Sequence, residues 1–80
     1  MGYDVSSVKK GMAEMLREDL KGEQDAIILY QSHIDSATDA EVKHVLEHIR
    51  DDEKEHTAEL IKLIRKLDAV QDEKFKKEGL

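Results

Sequence analysis

Two stretches of this chain place an apolar or small residue at alternating steps of four and three, and each run is broken near its middle by polar residues of the kind that bind metals. The first reads Leu16, Leu20, Glu23, Ile27, Tyr30, Ile34 and Ala37, and the second reads Val42, Leu46, Ile49, Glu53, His56, Leu60, Leu63, Leu67 and Val70. A repeat of about 3.5 residues is the seam of helices that pack along their length. Nothing points to a sheet: there is no Pro, no Trp, a single Phe and 40% charged residues, a composition of long solvated helices. The expected fold class is all-α.

Residues 1–7 lack the periodicity and are expected to form a flexible N-terminus, with Ser6 or Ser7 as the candidate cap of a helix beginning near Val8. Thr38, with Glu41 three residues later, reads as a capping box for the second helix. So short a break leaves room only for an antiparallel turn. Residues 8–70 are therefore assigned to a helical hairpin. The seam fails at Lys74 and Lys77, so residues 71–80 are expected to be a frayed, charged C-terminal tail with Phe75 as its only anchor. Pairing about Thr38 sets Leu16 opposite Leu60, Leu20 opposite His56, Glu23 opposite Glu53, Ile27 opposite Ile49, Tyr30 opposite Leu46 and Ile34 opposite Val42. Every layer joins seam to seam.

A chain of 80 residues makes one small domain that buries a modest share of its surface, so association with further copies is expected. Its net charge of -6 argues against a nucleic-acid partner, since phosphates need clustered Lys and Arg. The absence of Cys excludes thiolate sites and leaves carboxylate and imidazole as the strong ligands. No apolar run approaches the roughly 18 residues of a membrane span, so no membrane partner is expected and the simplest location is cytoplasmic.

The layer pairing brings Glu23, Glu53 and His56 together inside an apolar seam, with His56 one turn from Glu53 on the same helix face. Buried carboxylates without partners cost several kcal/mol each, and a bound cation removes that cost. One hairpin offers half a dinuclear set. Two copies related by a two-fold axis give four helices, four Glu and two His, and di-iron carboxylate bundles use a Glu from each of two helices and a Glu-x-x-His from each of the other two. Four carboxylates and two divalent ions also balance in charge.

The segment from Glu23 through Tyr30, the turn IDSATDAE and the run RDDEKEH at residues 50–56 resemble the encapsulated ferritins, short two-helix ferritin-like proteins packaged inside encapsulin shells. The resemblance implies that Glu23, Glu53 and His56 are ferroxidase ligands completed by the same residues of a partner chain. It implies two iron ions per dimer, a ferritin-like four-helix bundle within a larger ring such as a decamer, and oxidation of ferrous iron by dioxygen for storage in a cytoplasmic encapsulin nanocompartment. Some members carry further carboxylates beside the first ligand; here those positions are Gly22 and Asp25, and the first lacks its acid. No shell-targeting peptide is legible after Lys77.

Two other functions fit the same scaffold: a different di-metal protein, such as a rubrerythrin-like enzyme handling peroxide, and a non-catalytic assembly module whose polar layer only sets register. His44 and His48 lie four apart on the outer face of the second helix and read as solvated, while His33 flanks the seam near the turn and reads as an interface residue. Tyr30 reads as a core residue with its hydroxyl at the rim. Met15, Ile28, Leu29, Ile61 and Ile64 fall outside the seam, which suggests apolar contacts beyond a dimer.

Overall fold

The computed structural model describes residues 5–80, with side chains from Val8 onward, and the described residues are all-helical. Three helices follow one another: α1 (Val5–Ser36), α2 (Ala40–Leu67) and α3 (Ala69–Lys77). At the usual rise per residue α1 and α2 run for about 48 and 42 Å, and they pack against each other as an antiparallel hairpin. No helix among the described residues is long and apolar enough to cross a membrane.

α1 reaches back to Val5, with no Gly or Pro between Val5 and Lys10 to stop it. Ser6 and Ser7 therefore lie inside the helix instead of capping it. The other residues of the segment expected to be flexible, 1–4, lie outside the described residues. At the turn the cap is Asp39, not Thr38: its carboxylate accepts from the Val42 amide at 2.9 Å. An ionised oxygen is a stronger acceptor for a helix N-terminus than a hydroxyl, and it also meets the positive end of the dipole.

The C-terminal residues differ most from expectation, because residues 69–77 are helical. α2 ends at Asp68, whose extended backbone (φ −124, ψ 95) breaks the axis while its carboxylate caps α3 by accepting from the Gln71 amide at 3.0 Å. α3 closes on Gly79 at φ +81, with the Leu80 amide bonded back to the Phe75 carbonyl at 2.8 Å, the 6→1 bond of a Schellman cap. Arg65 ties the short helix down. It pairs with Asp72 at 2.6 Å, covers the Phe75 ring at 4.9 Å and donates to the Leu80 carbonyl at 3.1 Å. The loss of the seam at Lys74 thus ends the packing stripe without ending helix.

Between α1 and α2 lies a thin core of Ala13, Ile34 and Ile64. Ile64, expected outside the seam, is among the most buried residues, whereas Val42, expected inside it, is 50% exposed. The reason is that α2 carries two adjoining stripes. One, including Leu46, Glu53, Leu60 and Ile64, faces α1, and the other, including Val42, Val45 and Leu63, faces away. Along one flank, three polar bridges join the helices: Arg17 to Asp68 at 2.6 Å, Gln24 to Thr57 at 2.8 Å and Arg50 to Gln31 at 2.9 Å.

The Arg17 guanidinium, and after it the Gln71 amide, holds the Asp68 carboxyl below its ordinary value; Arg65, and after it Lys76, does the same for Asp72. A depressed folded-state value stabilises the fold above the unfolded-state value of about 3.9 and ceases to do so as pH falls through the folded one. Thermal unfolding in chelator should therefore show no contribution change from this pair between pH 7 and 5, and a decline below about pH 4. The double substitution Asp68→Asn with Asp72→Asn should flatten that part of the acid limb relative to the parent.

Candidate metal centre

Glu23 lies near the middle of α1 and Glu53 and His56 near the middle of α2, and one donor atom from each comes within 4.8 Å of the others. His56 Nδ1 stands 3.5 Å from Glu23 Oε2 and 3.5 Å from Glu53 Oε2. Those separations are too long for good hydrogen bonds. They match atoms around a common ion, because metal–ligand bonds of about 2.0–2.6 Å set neighbouring ligand atoms about 3–5 Å apart.

The side chains of Glu23 and Glu53 are 24% and 20% exposed and that of His56 49%. Among the described residues no Lys or Arg pairs with either carboxylate. Two like charges held together in partial shelter from water repel, and a cation between them reverses that. Oxygen and nitrogen donors without sulfur suit iron, manganese or zinc. Three donors alone would leave any such ion with unfilled coordination positions.

A cleft of about 490 Å³ opens onto Glu23 and His56 and is lined also by Glu18, Asp19, Gly22 and Glu59. The acids at 18, 19 and 59 lie off the seam, which is why a reading of the seam alone passes over them; their signal is Asp19 one turn before Glu23 and Glu59 one turn after His56. They make the approach to the ligands strongly negative. A Cβ on Gly22 would meet nothing within 4 Å, so there is room for the side chain that this position lacks. Asp25 is exposed and does not line the cleft. His33 and His44 are exposed, and His48 is exposed with Nε2 3.6 Å from Asp52 Oδ2; none of the three joins the ligand trio. Tyr30 is half-buried.

A protein-family model described as EncFtn-like matches residues 4–78. The "Encapsulin nanocompartment cargo protein EncC" of Myxococcus xanthus is 40% identical over 60 residues, covering 75% of this chain and 46% of that protein. The "Encapsulated ferritin-like protein" of Rhodospirillum rubrum is 40% identical over 47 residues, covering 59% of this chain and 34% of that protein. The chain thus spans less than half the length of these curated relatives. No solved structure matches it significantly.

The donor geometry leads to a direct test with zinc, which binds such donors tightly. Zinc at a hundred times its dissociation constant should raise the unfolding free energy by about 2.7 kcal/mol. Chelator should reverse the gain in a thermal melt, and Glu53→Gln or His56→Ala should remove most of it.

Proposed function

The chain belongs to the EncFtn-like family of encapsulated ferritins, and on that footing we propose that it is a ferroxidase, oxidising Fe(II) to Fe(III) with dioxygen at a di-iron site shared between two copies. The observation that carries the reading is the convergence of Glu23, Glu53 and His56 on the open side of a hairpin. Each copy supplies two carboxylates and one imidazole. Two copies supply the four Glu and two His of a di-iron bundle.

In this reading the iron ions are substrate. Glu23 and Glu53 would serve as terminal or bridging oxygen ligands, hard donors that favour the ferric product over the ferrous reactant, and His56 as a terminal nitrogen ligand. Two ferrous ions would give up one electron each, and one dioxygen would take both electrons with two protons from solvent, ending as hydrogen peroxide. The acid-lined cleft would concentrate cations at the opening, and the relatives' names, one of them an encapsulin nanocompartment cargo protein, support a place for this chain inside an encapsulin shell.

Association follows from the exposed apolar surface. Met12, Met15, Val42, Val45 and Leu63 are 41–65% exposed in the single hairpin, and covering what remains of each would stabilise by about half of the roughly 1.5–3 kcal/mol of a fully buried side chain. A second copy covers the ligand face and completes the metal set, with a larger ring covering what remains.

Anaerobic loading with Fe(II) followed by air should give rapid ferric absorbance at about two irons per dimer. Slow oxidation with fast peroxide consumption would favour a rubrerythrin-like enzyme, and no metal response at all would favour a non-catalytic assembly module. Glu53→Leu should abolish oxidation while leaving the metal-free protein at least as stable as the parent, because an apolar side chain of similar size relieves a desolvation cost of several kcal/mol. A markedly lower melt in chelator, or parental oxidation, would remove Glu53 from the ligand set. Light scattering should show dimers or larger, with divalent metal shifting the population upward.

A further inference from the structure

The ligand trio has two neighbours that the proposed chemistry does not use. Gln24 follows Glu23 on α1, and Thr57 follows His56 on α2. Gln24 Nε2 donates to Thr57 Oγ1 at 2.8 Å, and Thr57 Oγ1 in turn donates to the Glu53 carbonyl oxygen at 3.0 Å. One helix is thus tied to the other through a hydroxyl that is itself bonded to the backbone of a proposed metal ligand. We infer that Gln24 and Thr57 are positioning residues, forming a latch that holds Glu23 level with Glu53 and His56 so that each hairpin presents a preformed half-centre. This rests on the ligand assignment made above.

Geometry favours the latch over an incidental surface contact. Successive residues on a helix are turned by about 100°, so Gln24 falls on the opposite flank of the α1–α2 contact from the open side of Glu23. The two relations are complementary: the closed flank fixes height while the open flank binds. Sequence spacing gives independent support. Arg17, Gln24 and Gln31 stand seven residues apart on α1, and each is bonded across to α2 or, for Arg17, to its C-cap Asp68. Positions seven apart return to the same flank of a packed helix pair. Of the three bridges, only the middle one reaches the backbone of a ligand residue.

The apolar seam alone is a poor gauge of axial position. Leu and Ile side chains repack with small changes in energy, whereas a hydrogen bond weakens steeply beyond about 3.2 Å. A slide of about one ångström between the helices would break the Gln24–Thr57 bond and also separate Glu23 from its partners. The common helix back-bond from a Thr hydroxyl to the carbonyl four residues earlier is by itself neutral or slightly unfavourable. Here its oxygen has the second task of accepting from Gln24.

The test uses Co(II) as the metal, read by its visible absorption as well as by affinity. Gln24→Ala, at an exposed position, and Thr57→Val, which keeps the branched shape, should each weaken Co(II) binding by about three- to tenfold, less than the roughly 10–100-fold expected when a hydrogen bond to a ligand's own side chain is cut. Each should also alter the absorption envelope. Thr57→Ser should restore the parental values, and the double variant Gln24→Ala/Thr57→Val should bind no more weakly than the worse single, as expected for one shared interaction. Parental affinity and spectrum in both single variants would overturn the latch, even if their melting temperatures fall. Glu53→Leu separates the two ideas: if it binds Co(II) like the parent, the ligand assignment fails and the latch with it. If it loses binding while the latch variants do not, the latch alone fails.

Discussion

Two helices laid side by side touch along one line, and a line of contact cannot enclose a core. The hairpin is accordingly a slab, 58 × 33 × 14 Å, little thicker than a single helix with its side chains. It exposes 6350 Å², against about 4,900 Å² expected for a compact chain of 9.2 kDa. The difference exceeds the roughly 800 Å² that one partner buries in a standard interface. Folded domains are built from at least two packed layers. This chain supplies one, which leaves Met12, Met15, Val42, Val45 and Leu63 exposed where a second layer would cover them.

That constraint bears on where the candidate ligands sit. Glu53 lies on the stripe of α2 that faces α1, in line with Leu60 and Ile64, and His56 one turn on lies toward the outward stripe that carries Leu63. A carboxylate sealed deep within one chain could not be shared. One wholly outside would stay hydrated and bind weakly. Because the hairpin is a single layer, even its inner stripe is partly open: Glu23 and Glu53 keep 24% and 20% of their side chains exposed, which leaves the remaining desolvation to assembly and to a metal.

The long helices, the turn and the convergence of Glu23, Glu53 and His56 are legible in the sequence, because a regular seam and a regular interruption of it are one-dimensional signals. Glu23, Glu53 and His56 are found by the same alternation that finds Leu46 and Leu60. What the seam hides is its own width. Steps of four and three describe a single line, so Val42 and Ile64 are assigned to the wrong sides of a stripe that is in fact two. α3 is missed for a related reason: its stability comes from two caps and from Arg65, none of which has a period. Asp39 and Thr38 are adjacent acceptors, and only the path of the backbone decides between them. The acids at 18, 19 and 59 are lost among a charged majority, where composition gives no contrast.

A centre shared between chains, as proposed, would have a thermodynamic consequence beyond completing the ligand set. Metal-free, a face-to-face pair would bring four carboxylates together, and like charges at such spacing oppose association even as the apolar strips favour it. Two divalent ions would cancel that charge. If metal tightens assembly by some factor, assembly must tighten metal binding by the same factor, since the two equilibria form a closed cycle. A chain with its ligands sealed inside its own core would have no such coupling. Half a centre on an open face would make iron occupancy and quaternary state report on each other, and it would do so through ordinary electrostatics, with no conformational change required of the hairpin itself.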